Sequence, residues 1–272
     1  MKTVRVHLDA HVHAYPWHDV SALFRTALDR MPRKTPTDLH VVALAERADC
    51  SFFQALAQDE FRLPADRWQI LAWDPDGAVK VRHLPDQRNL WIMAGRQMAA
   101  AGRVEVSSLG SDVPVPDGQS AADTIRAILD AGGLPALNWA PGKWLFQRGK
   151  LIRRLCAAFP PSQLVLIDTS LRCRGWPAPR LYARERQKGR AILAGSDPLP
   201  AAGEESAAGA YYASFSIPAL DDHARLVAPL KAALTSGNLA ITYGGRRDSP
   251  LRLLRRLRRH QSAPAGFSSR PS

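Results

Sequence analysis

Three histidines and an aspartate crowd the stretch LDAHVHAYPWH (residues 8–18), directly behind the apolar-alternating run TVRVHL. In an extended strand, side chains two residues apart share a face, so Asp9, His11 and His13 point one way while Ala10 and Val12 point the other. His7 shares their face but lies deeper in the strand, and His18, beyond the Tyr-Pro-Trp bend, reads as a loop residue. Two imidazoles and a carboxylate converging at a strand end can hold a divalent cation through neutral ring nitrogens, with the carboxylate as a ligand or as the group that orients a ring. The same pattern also describes a solvated polar strand end, and a lone His-x-His pair favours that plainer account. A distant feature shifts the balance. In AILAGSDPLP the apolar run at 191–194 enters a Gly-Ser-Asp turn, which puts Asp197 at the C-terminal end of another strand; an aspartate there can also serve only to cap a turn. Together the two stretches favour a metal site made of His11, His13 and Asp197.

The elements that must position these groups follow from periodicity. Apolar runs predict strands at VRVHL, LHVVALA, WQILAW, VEVSSL, LPALNWA, LVLIDTS, AILAGSD and NLAITYG. Between them, segments of helical period predict helices at DVSALFRTALDRM, AADTIRAILDAG, GKLIRRLCAAF, PRLYARERQKG, DDHARLVAPLKAALTSG and SPLRLLRRLRRH. Glycines close ILDAGG and KAALTSGN as helix C-caps do, and Asp-Gly in WDPDGAV predicts a hairpin corner. Roughly eight strands with interleaved helices predict a single β/α barrel over residues 1–260, followed by a flexible Ser-, Pro- and Ala-rich tail at 261–272.

Composition narrows the function classes. With 272 residues, 46% of them hydrophobic and 23% charged, the chain can bury a sizeable core, and wholesale disorder is excluded. A net charge of +12 predicts an anionic partner: a phosphorylated small molecule, nucleic acid or an anionic membrane surface. Cys50, Cys156 and Cys173 are widely spaced with no CxxC pair, so packing is expected of them, not a disulfide frame, a thiolate zinc site or a nucleophile. The first residues lack a signal-peptide core and no long apolar window follows, which predicts a cytoplasmic protein.

The ordered set DAHVH, ALAER, AGRQ, AILDAGGLPALNWAPG and ILAGSD, spread over most of residues 1–200, resembles the polymerase and histidinol phosphatase (PHP) superfamily. That resemblance implies a distorted seven-stranded, TIM-like β/α barrel, a cluster of divalent metals and, for many members, hydrolysis of phosphate esters. Taken residue by residue, it implies ligand roles for His11, His13 and Asp197. Elsewhere the chain departs from the pattern. Glu46 stands where the family has an Asp-His pair, with Arg47 in place of the histidine, and Gln97 replaces a ligand glutamate. Trp139 and Leu199 each replace a histidine, and Asp168 falls near the family's bridging glutamate. With those ligands gone, one ion or none is expected, of zinc, manganese or iron.

The activity implied is a metal-dependent phosphoesterase in which Glu46 or Asp168 is a fourth ligand or general base, while Asp9 and Gln97 support the ligands from behind. The missing ligands favour an alternative, a catalytically degenerate barrel kept as a binding or regulatory module. A further alternative is an amidohydrolase-type hydrolase, because DAHVHAYP and GSDP resemble pieces of that superfamily; His40, His83 and His223 are not placed to supply its other ligands. Arg96, Lys143 and Arg148 sit beside predicted strand ends and are expected to hold a substrate phosphate, with Trp144 as a pocket wall. The arginine-rich segment 246–260 predicts a basic amphipathic helix with Leu251, Leu253, Leu254 and Leu257 on the core and Arg252, Arg255, Arg256 and Arg259 in water. Its sharper reading is contact with nucleic acid or anionic lipid.

Overall fold

The computed structural model describes residues 2–220 and 224–261. His223 and, apart from Gln261, the tail expected at 261–272 lie outside the described residues. The chain opens with β1 (Thr3–Val12), α1 (Val20–Arg30), β2 (Leu39–Leu44) and the short α2 (Phe52–Ala57). A run of strands follows: β3 (Trp68–Asp74), β4 (Ala78–His83), β5 (Arg88–Met93), β6 (Gly95–Ala100) and β7 (Val104–Leu109). Helices then alternate with strands through α3 (Ala121–Asp130), β8 (Leu134–Asn138), α4 (Phe146–Ala158), β9 (Val165–Thr169), α5 (Arg180–Gln187) and β10 (Ile192–Gly195). A single 3-10 turn (Glu204–Ala207) leads to β11 (Tyr211–Pro218), α6 (Val227–Thr235), β12 (Thr242–Gly245) and α7 (Pro250–Gln261).

These strands do not close into the expected single barrel. They form a seven-stranded sheet in the order β12-β11-β1-β2-β5-β4-β3 and a five-stranded sheet in the order β10-β9-β8-β7-β6. A β/α barrel needs parallel strands, each returned by a helix. Here only β1/β2, β2/β5, β8/β9 and β9/β10 run parallel. β3, β4 and β5 are linked as antiparallel neighbours, as are β6, β7 and β8, and β11 returns antiparallel to β1. The periodicity reading missed β5, β6 and β11, and gave β4 only as the far side of the Asp-Gly corner; these are the strands that make both sheets mixed. A few hydrogen bonds cross between the sheets: the Glu46 amide donates to the Gly95 carbonyl (3.0 Å), the Gln97 amide to the Glu46 carbonyl (2.8 Å) and the Asp197 amide to the His11 carbonyl (3.0 Å).

Local chemistry explains the elements that carry the site. In β1, Val6, Leu8 and Ala10 alternate into a core shared with Val41, Ala43, Ile167, Leu193 and Phe215, which leaves the odd-numbered polar residues on the other face. Asp19 caps α1 by accepting from the Ala22 amide at 2.9 Å, and the helix buries Val20, Leu23, Phe24, Ala27 and Leu28 at the spacing of one helical face. Gly132, at φ 73°, ends α3 as the sequence predicts, and the Asp-Gly corner does join β3 to β4. Among the described residues no helix is long and apolar enough to cross a membrane. All three cysteines are buried and unpaired, and burial pushes the Cys50 thiol up to about 12 and the Cys156 thiol to about 11, in keeping with packing roles.

The last helix corrects its expectation. Leu253 is buried, but Leu251 and Leu254 are 58% and 45% exposed, while Arg256, expected in water, is buried.

Burial also has a pH consequence away from the strand ends. His40, packed at the start of β2, donates from Nε2 to the Pro32 carbonyl (2.9 Å), and desolvation lowers its pKa to about 4. The unfolded chain takes up this proton near the ordinary value of about 6.5 and the folded chain only near 4, so His40 costs stability progressively as pH falls through that window. His40→Gln is expected to recover on the order of 3 kcal/mol of the acid-side loss, measured as the difference between the pH dependences of denaturant unfolding for the two proteins.

Candidate metal centre

The site is built where β1 and the turn after β10 are drawn together. Asp9 is fully shielded from solvent and accepts from the Ser196 amide (2.8 Å), the Ser196 hydroxyl and the Gly209 amide (2.8 Å). Ser196 precedes Asp197, whose amide bonds the His11 carbonyl at 3.0 Å. Gly195 permits this approach, because a Cβ there would lie 2.4 Å from the His11 Cβ. Asp197 itself sits at φ 53°, a left-handed conformation that aspartate enters more readily than most residues.

These constraints bring together the three residues that the sequence singled out. His11 Nε2 and His13 Nε2 lie 3.2 Å apart, and Asp197 Oδ1 lies 3.9 Å from the first and 3.7 Å from the second. One point within that triangle is about 2.1 Å from all three atoms, the length of zinc–nitrogen and zinc–oxygen bonds. Burial lowers His11 to about 4 and His13 well below the usual histidine range, so both rings are neutral at pH 7. Burial also raises Asp197 to about 6, a penalty on its charge that a cation would relieve. Without a cation, one Nε2 must carry a proton toward the other; with one, both lone pairs serve the same centre. Neither Nδ1 has a hydrogen-bond partner among the described residues. Two neutral imidazoles and a carboxylate suit zinc, manganese or ferrous iron, and the residues present fit a single ion.

Around the three groups lies a mixed polar shell. Tyr15 stacks on His13 with ring centroids 5.3 Å apart. Gln97 lies beside His11, and its Oε1 accepts from Asn138 Nδ2 (3.3 Å), which also donates to Ser107 Oγ (2.7 Å). Lys143 is paired with Glu105, and its charge acts on both His11 and Asp197. The Thr169 side chain contacts Asp197 and donates to the Trp139 carbonyl at 3.2 Å.

Other expected contributors are placed differently. Asp9 does not orient an imidazole: the pairing of β1 with β2 shifts register between Asp9 and Val12, and its oxygens meet amides and the Ser196 hydroxyl. Glu46 accepts from the Phe53 amide (3.1 Å) at the start of α2. Asp168 is held side-on by Arg172 and accepts from the Tyr211 hydroxyl at 3.0 Å. Asp168 is thus engaged in structural bonds, and Glu46 keeps its Oε2 without a partner among the described residues; neither carboxylate joins the cluster of His11, His13 and Asp197. Arg96 is buried against backbone, donating to the carbonyls of Asp112 (2.6 Å), Arg47 and Cys50, so it braces a loop instead of presenting a phosphate clamp. Arg148 lies half-buried within α4, in no polar contact with the three ligands.

Arg256 is the contributor that sequence reasoning missed. From α7 it donates to the Asp197 carbonyl (2.8 Å), to the Ser170 hydroxyl (3.1 Å), to both oxygens of Glu204 and to Asp248. The signal was present: at helical spacing position 256 stands one turn beyond 253, on the side that packs inward. Arg256→Ala would leave Glu204 buried without its counter-charge and Asp248 paired only with the exposed Arg252, and a loss of about 3–5 kcal/mol in denaturant unfolding is expected. Arg256→Lys, which restores charge but not the forked geometry, should recover only part of it.

No family model matches the chain, and no curated protein does. Among solved structures it is similar to PsfC from Pseudomonas syringae PB-5123, with 15% identity over 95% of this chain and 98% of that one and a TM-score of 0.57. It is also similar to the novel lesion-specific endonuclease PfuEndoQ from Pyrococcus furiosus, with 12% identity over 87% of this chain, 57% of that one and a TM-score of 0.52. The chain thus spans little more than half the length of that endonuclease. At such identities a likeness shows the fold alone, laid out here as two mixed sheets.

Proposed function

We propose that this chain is a metal-dependent hydrolase acting on a phosphate ester. The reading is carried by the convergence of His11 Nε2, His13 Nε2 and Asp197 Oδ1 on one buried point. A divalent ion held there supplies Lewis-acid polarisation of a phosphoryl oxygen and lowers the pKa of a water. The protein's own groups do the rest. Burial keeps both imidazoles neutral and available, and Thr169 and Arg256 hold Asp197 by side chain and backbone. Lys143 adds positive charge beside the ligands, which favours an anionic substrate, although Glu105 offsets part of it. The fold-level likeness to a lesion-specific endonuclease is consistent with a metal-dependent hydrolase in general.

A single ion, not a cluster, is the form this reading takes, because among the described residues only His11, His13 and Asp197 gather their ligand atoms, while Asp168 is held by Arg172. The same observation favours a second reading, a binding module that keeps the ion without turnover. Elemental analysis of protein purified without chelator is expected to find about one equivalent of zinc, manganese or iron, lost in His11→Ala and in Asp197→Asn. Hydrolysis of aryl phosphomonoesters or diesters should fall at least ~10-fold on chelation and return with metal. A retained ion with no turnover of either ester selects the binding module, and a wild-type protein that takes up no ion under metal-replete conditions defeats both readings.

A further inference from the structure

A cleft of about 420 Å³ opens between the start of α4 and the loop that enters α5. It lies at the C-terminal ends of the parallel strands β8 and β9, the end from which Asp197 also emerges after β10. Trp139, Trp144 and Trp176 supply its aromatic walls, and Arg153, Arg180 and Arg184 stand around it. Trp144 is fixed by its Nε1, which donates to the Asn138 carbonyl at 2.8 Å. Trp176 is 41% exposed and stands at right angles to Trp139 with centroids 5.5 Å apart, which leaves part of its indole accessible in the cleft.

The charge of the cleft is one-sided. No carboxylate lines it, and its three arginines are exposed and make no ion pair among the described residues. Surface arginines elsewhere, such as Arg25, Arg62 and Arg126, each find an aspartate. Both helices that border the cleft begin without a side-chain cap and without an acidic residue in the first turn, so their leading amides add to the positive potential. Guanidinium forks match phosphate oxygens, and indole faces match the π-faces of bases. A single phosphate would leave most of the volume and all of the aromatic wall unused.

We propose that this cleft binds a nucleotide, its base on Trp176 and its phosphate among Arg153, Arg180 and Arg184. The site is distinct from the metal centre, since none of His11, His13 and Asp197 lines it, and the proposal does not rest on the hydrolase reading. The two are neighbours through Thr169, which contacts Asp197 and bonds the Trp139 carbonyl.

Titration with AMP, CMP, GMP and UMP, followed by tryptophan fluorescence and calorimetry, tests this. At least one nucleotide is expected to bind saturably with Kd below about 1 mM, and its nucleoside and inorganic phosphate should each bind at least ~10-fold more weakly. Trp176→Ala, and separately Arg180→Glu with Arg184→Glu, should each weaken binding at least ~5-fold while leaving the thermal melt unchanged, since all three side chains are exposed. His11→Ala should bind the nucleotide as the wild type does. Absence of saturable binding to all four nucleotides, phosphate binding as tight as nucleotide, indifference to both cleft variants, or loss of binding in His11→Ala would each overturn the assignment.

Discussion

The arrangement depends first on a carboxyl group buried away from solvent. Asp9 offers its two oxygens to the amide and hydroxyl of Ser196 and to the amide of Gly209. Those bonds offset a desolvation large enough to push Asp9 up to about 7. They also join three stretches distant in sequence: β1, the turn leaving β10 and the approach to β11. His11 is two residues from this junction on one side and Asp197 one residue from it on the other. The spacing of the candidate ligands is thus inherited from a backbone junction and does not depend on the ligands attracting each other.

A second layer holds the junction from outside. Arg256 gathers Glu204, Asp248 and the Asp197 carbonyl, so a guanidinium is fully used by buried acceptors, two of them charged. The rest of α7 is oppositely disposed, with Arg255, Arg259, Leu251 and Leu254 all facing solvent. One helix therefore divides its arginines between structure and surface. Much of the chain's excess positive charge is concentrated there, while the cleft beside α4 holds three arginines and no acidic residue among its described lining.

How much of this was legible in the sequence differs by feature. His11, His13 and Asp197 were found because strand alternation and a Gly-Ser-Asp turn are local patterns, and the structure brings all three together. Helices α1, α3, α4 and α5 were found because their apolar spacing is regular. The barrel was not borne out, because strand direction and pairing are non-local: nothing within YYASFSIP says that it will lie antiparallel to β1. Arg96 was expected at a substrate from its place beside a strand end, and Asp168 as a fourth ligand or base from the resemblance, yet other partners hold them, carbonyls from a loop for one and Arg172 with Tyr211 for the other. Residue type announces what a group can do, and its competitors decide whether it is free to do it.

The reach of Arg256 to the carbonyl of Asp197 has a consequence for how the protein is made. One end of the candidate centre is drawn from the first strand and the other is braced by the last described helix, so the contacts that complete it span nearly the whole chain. Contacts of such long sequence separation form late, after loop closure has been met by shorter-range pairing. During synthesis, His11 and His13 emerge early and wait without their third partner. A nascent chain therefore carries two histidines and a buried aspartate junction that cannot be finished until the C-terminal arginine helix has left the ribosome, and premature termination anywhere before residue 256 yields a chain whose centre has no brace.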